Sequence, residues 1–555
     1  MEEVVSTTSQ VDPRRAAWLS RFVTRVRSQA PSVTDCSAAL ISAALLIFAF
    51  PDFNLWPLAW IGLVPLLLIV ACGAQPWRCF LVGWLFGTVF FYGTCYWLTY
   101  SMIHFGGIPA WLAFVLLLPG AFLLGTVPAL FTLALSLVIR KWGTAALFIA
   151  PLLWAALEWL RLETTGQLWN ALGYSLAYHR PLIQAARWGG VYSIGFLIVF
   201  VNSAIAFALL NRSARALAIT TGGILLAAGL MLLANRTSPF REWDDKNEAE
   251  AIVIAVQPNV PMEIVKSEEY MRKLTARHFE MSESALRQLP NDGKPRLVIW
   301  PESPMNFGYG GDSQLREMIA IFAKANNTAV LLNSQEVAPN DGIYNSALLI
   351  NQQGSLVAQY DKIRLLPFGE YVPLPHWLPG AGLITAIVGD FTPGTNYGLM
   401  PVGPLRAGVF ICIESAYPSI ARRFTVEGAD VLINISNDGY LGPTAVMRQH
   451  LANAVFRAVE NGRPLLRVTN TGITAFITPA GEVRDATPSF KPDVRTWKVA
   501  RDGTAATFYA AHGDVFAVGC LLFSLLILLF SLRGSSRNRG NFPTRLNKYA
   551  LLEDQ

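Results

Sequence analysis

Charge is scarce in this sequence: Asp, Glu, Lys and Arg make up 15% of 555 residues, against 53% hydrophobic residues and a mean hydropathy of +0.37. An ordinary soluble chain is roughly a quarter charged, so a freely soluble globular protein is excluded and a membrane protein is expected. Histidine and cysteine are rarer still, at six each. They form no Cys/His cluster, which argues against structural zinc, and no metal or cofactor is expected. The net charge of +6 sits in small clusters beside apolar runs, so no nucleic-acid-binding patch is read from it. No cleavable signal peptide is evident; a polar N-terminus runs straight into an apolar segment.

Apolar runs are what the sequence does have. They cover 37–53, 56–72, 80–98, 111–139, 144–160, 182–210, 216–234 and 515–532. A crossing helix needs roughly 20 apolar residues, so eight spans are expected, the first two being short and broken by Pro51 and Pro57. Arg14, Arg15, Arg21, Arg25 and Arg27 precede the first run; Arg78, Arg140 with Lys141, and Arg212 with Arg215 fall in alternate loops; Arg533, Arg537 and Arg539 follow the last. The loop 100–110 has neither Lys nor Arg, whereas Arg161 and Arg180 run against the trend. The positive-inside rule then gives a cytoplasmic segment at 1–36, a membrane domain of seven spans at 37–235, a last span at 514–532 and a cytoplasmic tail at 533–555. Between the seventh and eighth runs, at 246–501, composition turns ordinary, and a soluble domain of about 250 residues is expected outside the cytoplasm.

Five cysteines lie in or beside the apolar runs, and Cys412 is the only one in 246–501. It stands in "RAGVFICIES" (406–415), an apolar strand pattern with Glu414 two residues on. A lone cysteine in such a strand is most often a buried, inert small hydrophobe. A nucleophile needs a base, and none of the four histidines between 278 and 512 stands in a protease-like context. The remaining candidates sit at strand ends, where sheets of α/β type gather functional groups. "LVIWPES" presents Glu302, "QYDKIRLLPFGEYVP" presents Lys362 and then Glu370, and "VFICIES" presents Cys412 and Glu414. Taken singly, a Glu or Lys at such a place is usually a solvated charge or a helix cap.

Together, Glu302, Lys362 and Cys412 resemble the Glu-Lys-Cys triad of the nitrilase superfamily, in the family's order. The segment "LINISNDGYLGPTAVMRQHLANAVFRAVENGRPLLRVTNTGITAFITPAGEV" and the loop "EWLRLETTGQLWNALGYS" are similar to the membrane-integrated branch of that superfamily, the apolipoprotein N-acyltransferases. Ile413 stands where that family often has an aromatic residue, and "QPNVPMEIVKSEEY" lacks a Trp usual in the family. The resemblance implies a polytopic α-helical membrane domain of about eight spans carrying an inserted nitrilase-like α-β-β-α sandwich, in a bacterial inner membrane. It also implies roles: Glu302 as general base, Lys362 as oxyanion partner, Cys412 as the nucleophile that becomes a thioester, and Glu370 and Glu414 as accessory carboxylates. The implied donor is a phospholipid of the bilayer such as phosphatidylethanolamine, and the implied acceptor is the α-amino group of a diacylglyceryl cysteine on an apolipoprotein.

The loop "YVPLPHWLPGAGLITAIVGDF", with Trp377 and Leu378, reads as a lid that dips into the outer leaflet. Two other functions remain open to sequence. One is an anchored amidase or esterase that gives its acyl group to water. The other is a transporter or receptor with an outward binding domain, against which the spans hold few ionisable residues, chiefly Glu158 and Arg187 near their ends.

Overall fold

A computed structural model describes residues 30–72, 75–166, 168–239, 249–262, 267–339, 342–372, 391–501 and 506–533. Trp377 and Leu378 lie outside the described residues.

The apolar runs are helical. Val33–Ala49 starts on a capping box between Ser32 and Asp35. It is followed by the short helix Val64–Ala71 and then by Pro76–Thr94, Leu98–His104, Ala110–Trp142, Ala150–Thr165, Ala186–Asn211 and Ala214–Arg236, with Val515–Arg533 near the other end of the chain. Among the described residues four helical stretches are long and apolar enough to cross a membrane, or five if Pro76–Thr94 and Leu98–His104 form one bent span. One of the four, Ala110–Thr165, runs for 56 residues. At 1.5 Å per residue that is ~84 Å, well beyond a hydrocarbon core of about 30 Å. Gly143, at φ +67°, breaks it. Leu225, Leu226, Leu522 and Phe523 are each more than half exposed, a pattern that water penalises and lipid does not.

Residues 249–501 build two six-stranded mixed sheets. The strands are β1 Ala251–Gln257, β2 Arg296–Ile299, β3 Ala329–Val337, β4 Ile343–Ile350, β5 Leu356–Asp361, β6 Met400–Val402, β7 Leu405–Ile411, β8 Val431–Ser436, β9 Leu465–Thr469, β10 Ala475–Ile477, β11 Val483–Arg484 and β12 Asp493–Val499. One sheet runs β12-β1-β2-β3-β4-β5 and the other β11-β10-β9-β8-β7-β6. Their inner strands are buried on both faces, and period-two alternation sorts the side chains. Val253, Ala255, Ile299 and Leu349 meet Val409, Ile411 and Ile433 between the sheets. Ile252, Ile254, Val298 and Val330 point the other way, onto Leu286, Leu315, Ile319 and Phe322 of helices Glu268–Leu286 and Ser313–Asn326. Pro418–Val426 and Val446–Asn461 cover the second sheet. The layers are helix, sheet, sheet, helix, which is the nitrilase-like arrangement.

The helix Val446–Asn461 is buried at every residue except the partly covered Arg448. A helix buried all round needs apolar neighbours on all sides. The second sheet lies on one side and the membrane helices on the other. Tyr178 Oη donates to the Arg448 carbonyl at 2.5 Å, the Val191 amide to Glu460 Oε1 at 2.9 Å, and Gln184 Nε2 to the Ala480 carbonyl at 2.9 Å. On the site side, Gly442 has φ +65°, and a Cβ there would meet the Tyr100 ring at 2.4 Å, so only glycine lets this loop lie against Leu98–His104.

Candidate active site

Strand ends bring the candidates together. β2 delivers Trp300, Pro301 and Glu302 past its last residue; β5 ends at Asp361, directly before Lys362; β7 ends at Ile411, directly before Cys412. The strand pattern seen in 406–415 therefore stops early, at Ile411. Cys412 is not in the ladder but opens a tight 3₁₀ turn, Cys412–Ala416, with φ +52°. A non-glycine residue in the left-handed region costs of order 1 kcal/mol and persists only where its surroundings fix it.

Lys362 is 1% exposed. Its Nζ donates to Glu370 Oε1 at 2.8 Å and lies 3.6 Å from Glu302 Oε1. Burial pushes the ammonium down, but Glu302, Glu370 and Cys412 more than offset this and hold it above the ordinary lysine range. Glu370 is also buried; its Oε2 accepts from the Leu366 amide at 2.7 Å, which shapes the turn after Lys362. Glu302 is held at both oxygens, Oε1 by Asn345 Nδ2 at 2.9 Å and Oε2 by the Asn437 amide at 3.0 Å.

Cys412 is half-buried. Burial raises its thiol well above the ordinary range; Glu302 adds to this, Lys362 pulls it back, and Asp438 and Glu370 raise it further. Cys412 and Lys362 thus share the same two carboxylates, Glu302 and Glu370, which raise the thiol and hold the ammonium charged. Among the described residues no group of His, Cys, Asp and Glu is arranged to hold a metal ion.

Glu414 is fully buried and works on the backbone. Its Oε1 accepts from Tyr360 Oη at 2.8 Å and from the amides of Ile363 and Arg364 at 2.8 and 3.0 Å; its Oε2 accepts from the Ile411 amide at 2.7 Å. It ties the turn that carries Cys412 to the loop that follows Lys362. Burial raises its carboxyl, and the backbone hydrogen bonds and Lys362 oppose that rise.

Asn345, on β4, escaped the sequence reading. Its Nδ2 bridges Glu302 Oε1 and Glu370 Oε1 at 2.9 and 2.7 Å, and its carbonyl accepts from the Lys362 amide at 2.8 Å. An asparagine inside "GIYNSALLI" gives no local signal, because only the sheet register brings it to the two carboxylates. His450 escaped as well. Its Nδ1 lies 2.7 Å from Asp438 Oδ1 and its Nε2 3.0 Å from the Cys412 carbonyl. Arg467 and His450 hold the Asp438 carboxyl below its usual range against the opposing effect of burial.

With this geometry in view, the comparisons with known proteins agree at both ends of the chain. Residues 42–204 match the family described as the apolipoprotein N-acyltransferase N-terminal domain, and residues 259–509 match the carbon-nitrogen hydrolase family. The apolipoprotein N-acyltransferase of Geobacter metallireducens is 33% identical over 512 residues, covering 90% of this chain and 96% of that protein. The chain belongs to the apolipoprotein N-acyltransferase family. The Rhizobium etli apolipoprotein N-acyltransferase is 30% identical over 472 residues, covering 80% of this chain and 86% of that one. Among solved structures, Nit3 of Saccharomyces cerevisiae, a nitrilase-superfamily member, covers 53% of this chain and 97% of its own at 17% identity, with a TM-score of 0.35. Within the apolipoprotein N-acyltransferase family, this chain joins several apolar helices to a nitrilase-like pair of sheets.

Proposed function

We propose that this protein transfers an acyl chain from a phospholipid to the α-amino group of a diacylglyceryl cysteine on an apolipoprotein, through a thioester on Cys412. The carrying observation is the meeting of Glu302, Lys362 and Cys412 where β2, β5 and β7 end.

Glu302 takes the Sγ proton as the thiolate attacks a phospholipid ester carbonyl, forming a C–S bond. Lys362 faces the oxyanion of the tetrahedral intermediate; one such donor is worth roughly 3 kcal/mol. Collapse breaks the C–O bond, and Glu302 returns the proton to the lysophospholipid leaving group. In the second half the acceptor amine attacks the thioester, loses its proton to Glu302 and leaves as an amide, and the Cys412 thiol is regenerated. Glu370 aims Lys362, while Glu414 fixes the turn under Cys412.

Eight crossings follow if Ala110–Thr165 counts as two, the bent pair as one, and the two shorter apolar helices Val33–Ala49 and Trp56–Ala71 as one each. With the arginine pattern, this supports cytoplasmic termini and a periplasmic catalytic half. The domain limits 37–235 and 246–501, phosphatidylethanolamine as donor and the lid over Trp377 and Leu378 belong to the same proposal.

The test is product identity. Purified protein given labelled phosphatidylethanolamine and a diacylglyceryl-cysteine peptide should yield an N-acyl peptide that resists hydroxylamine. Free fatty acid as the main product, with the peptide unmodified, would replace this reading by the water-accepting hydrolase.

A further inference from the structure

Gln449 lies in the buried helix Val446–Asn461, is 4% exposed, and uses every hydrogen-bonding position of its amide on the membrane half. Its Oε1 accepts from Trp97 Nε1 at 3.0 Å and Trp169 Nε1 at 2.9 Å. Its Nε2 donates to the carbonyls of Pro51 at 2.9 Å and Thr94 at 3.1 Å. These partners come from three places: the turn after Val33–Ala49, the end of Pro76–Thr94 with the Trp97 just beyond it, and the loop after Ala150–Thr165.

The next residue, His450, lies about 100° further round the helix and bridges Asp438 to the Cys412 carbonyl. Asp438 is itself anchored by Arg467 Nη2 at 2.7 Å. Asn434 Nδ2 reaches the same Cys412 carbonyl at 3.4 Å. The Trp169 ring is also 5.4 Å from the His450 ring, so one membrane-half residue touches both members of the pair. Cys412 holds a left-handed backbone that its own sequence does not favour, so groups gripping its carbonyl decide where Sγ points.

We infer that Gln449 is a positioning residue: it locks the catalytic helix to the membrane half, and through His450 it sets the orientation of Cys412. The inference rests on the reading of Cys412 as the acylated nucleophile. It makes the packing of the membrane helices part of the nucleophile's geometry and gives them a task beyond holding the enzyme in lipid.

The experiment uses the full-length protein in phosphatidylethanolamine nanodiscs and measures single-turnover acylation of Cys412 by intact mass, with Cys412→Ala as the blank. Gln449→Leu keeps the volume and removes all four bonds. A displacement of about 1 Å at a reacting atom costs on the order of 100-fold in rate, so acylation should slow ~100-fold while half-saturation by phospholipid changes less than about twofold. His450→Gln should slow it as well. If the effect passes through His450, the double variant should be no slower than the slower single one, because coupled residues are not additive.

Folded Gln449→Leu protein that acylates at the wild-type rate, or a double variant whose loss is the product of the two single losses, overturns the inference. If Gln449→Leu does not accumulate, Trp97→Phe keeps an aromatic ring and removes the one N–H that Gln449 Oε1 shares with the Thr94 carbonyl. A loss of about fivefold there supports the inference, and an unchanged rate overturns it. No adduct on wild type would instead mean that the reading of Cys412 itself has failed.

Discussion

Lys362 is hydrogen-bonded to Glu370, at 2.8 Å, while Glu302 stands off at 3.6 Å from the same ammonium. Both carboxylates hold the ammonium charged, and Glu370 is the one that hydrogen-bonds it.

Replacing Glu370 by Gln removes that partner and leaves Glu302 as the nearest anion. A base tied in an ion pair is a poorer base, and general-base catalysis contributes 10²–10⁴-fold. Turnover by Glu370→Gln should fall on the order of 100-fold, measured as N-acyl peptide formed per minute. Activity within threefold of wild type would show that the pairing is not needed.

The raised Cys412 thiol has a direct consequence for pH. A group raised in this way is protonated throughout the neutral range, and its thiolate fraction grows about tenfold per pH unit while the pH stays below its pKa. Alkylation of Cys412 by iodoacetamide should climb through pH 9 with no plateau. A plateau reached below pH 8 would mean a preformed thiolate and no need for Glu302 as base.

Glu414→Gln tests the tie between the two loops. The carboxylate accepts from three backbone amides and from Tyr360; a carboxamide turns one acceptor into a donor facing an N–H. Leaving such a group unmatched costs about 1–3 kcal/mol. Acylation should slow by at least about tenfold with phospholipid binding unchanged, read as kcat against KM. An equal loss in both would place Glu414 among the groups that hold substrate.

At the seam between the halves, Arg457 and Glu460 are both fully buried and 2.8 Å apart. Removing one partner of such a pair leaves an uncompensated charge, at a cost of about 3–5 kcal/mol. Unfolding of detergent-solubilised Glu460→Ala should begin at clearly lower denaturant than wild type. A shift worth under about 1 kcal/mol would show that water reaches the site.

Much of this was legible in the sequence, and the gaps have physical causes. Strands such as Ala251–Gln257 announce themselves because both faces are buried and the run is purely apolar at its centre. Leu465–Thr469 does not, because the fully buried Arg467 interrupts it; that arginine is there to hold Asp438. Asp493–Val499 is an edge strand with only Trp497 and Val499 buried, too polar to stand out, yet it pairs antiparallel with β1 along seven residues. Glu302, Lys362 and Cys412 stood out as candidates because each sits just past a strand end, at a break in the apolar pattern. Asn345, Gln449 and His450 were not, since their partners lie up to 398 residues away in sequence and only the fold brings them together.

Whether Cys412 carries the acyl group is read from intact-protein mass. Wild type and Cys412→Ala are each incubated with phosphatidylethanolamine and no acceptor. An acyl adduct should appear on wild type alone, released by hydroxylamine and by a diacylglyceryl-cysteine peptide. An equal adduct on both proteins, or none on either with the lipid left intact, would contradict acylation of Cys412.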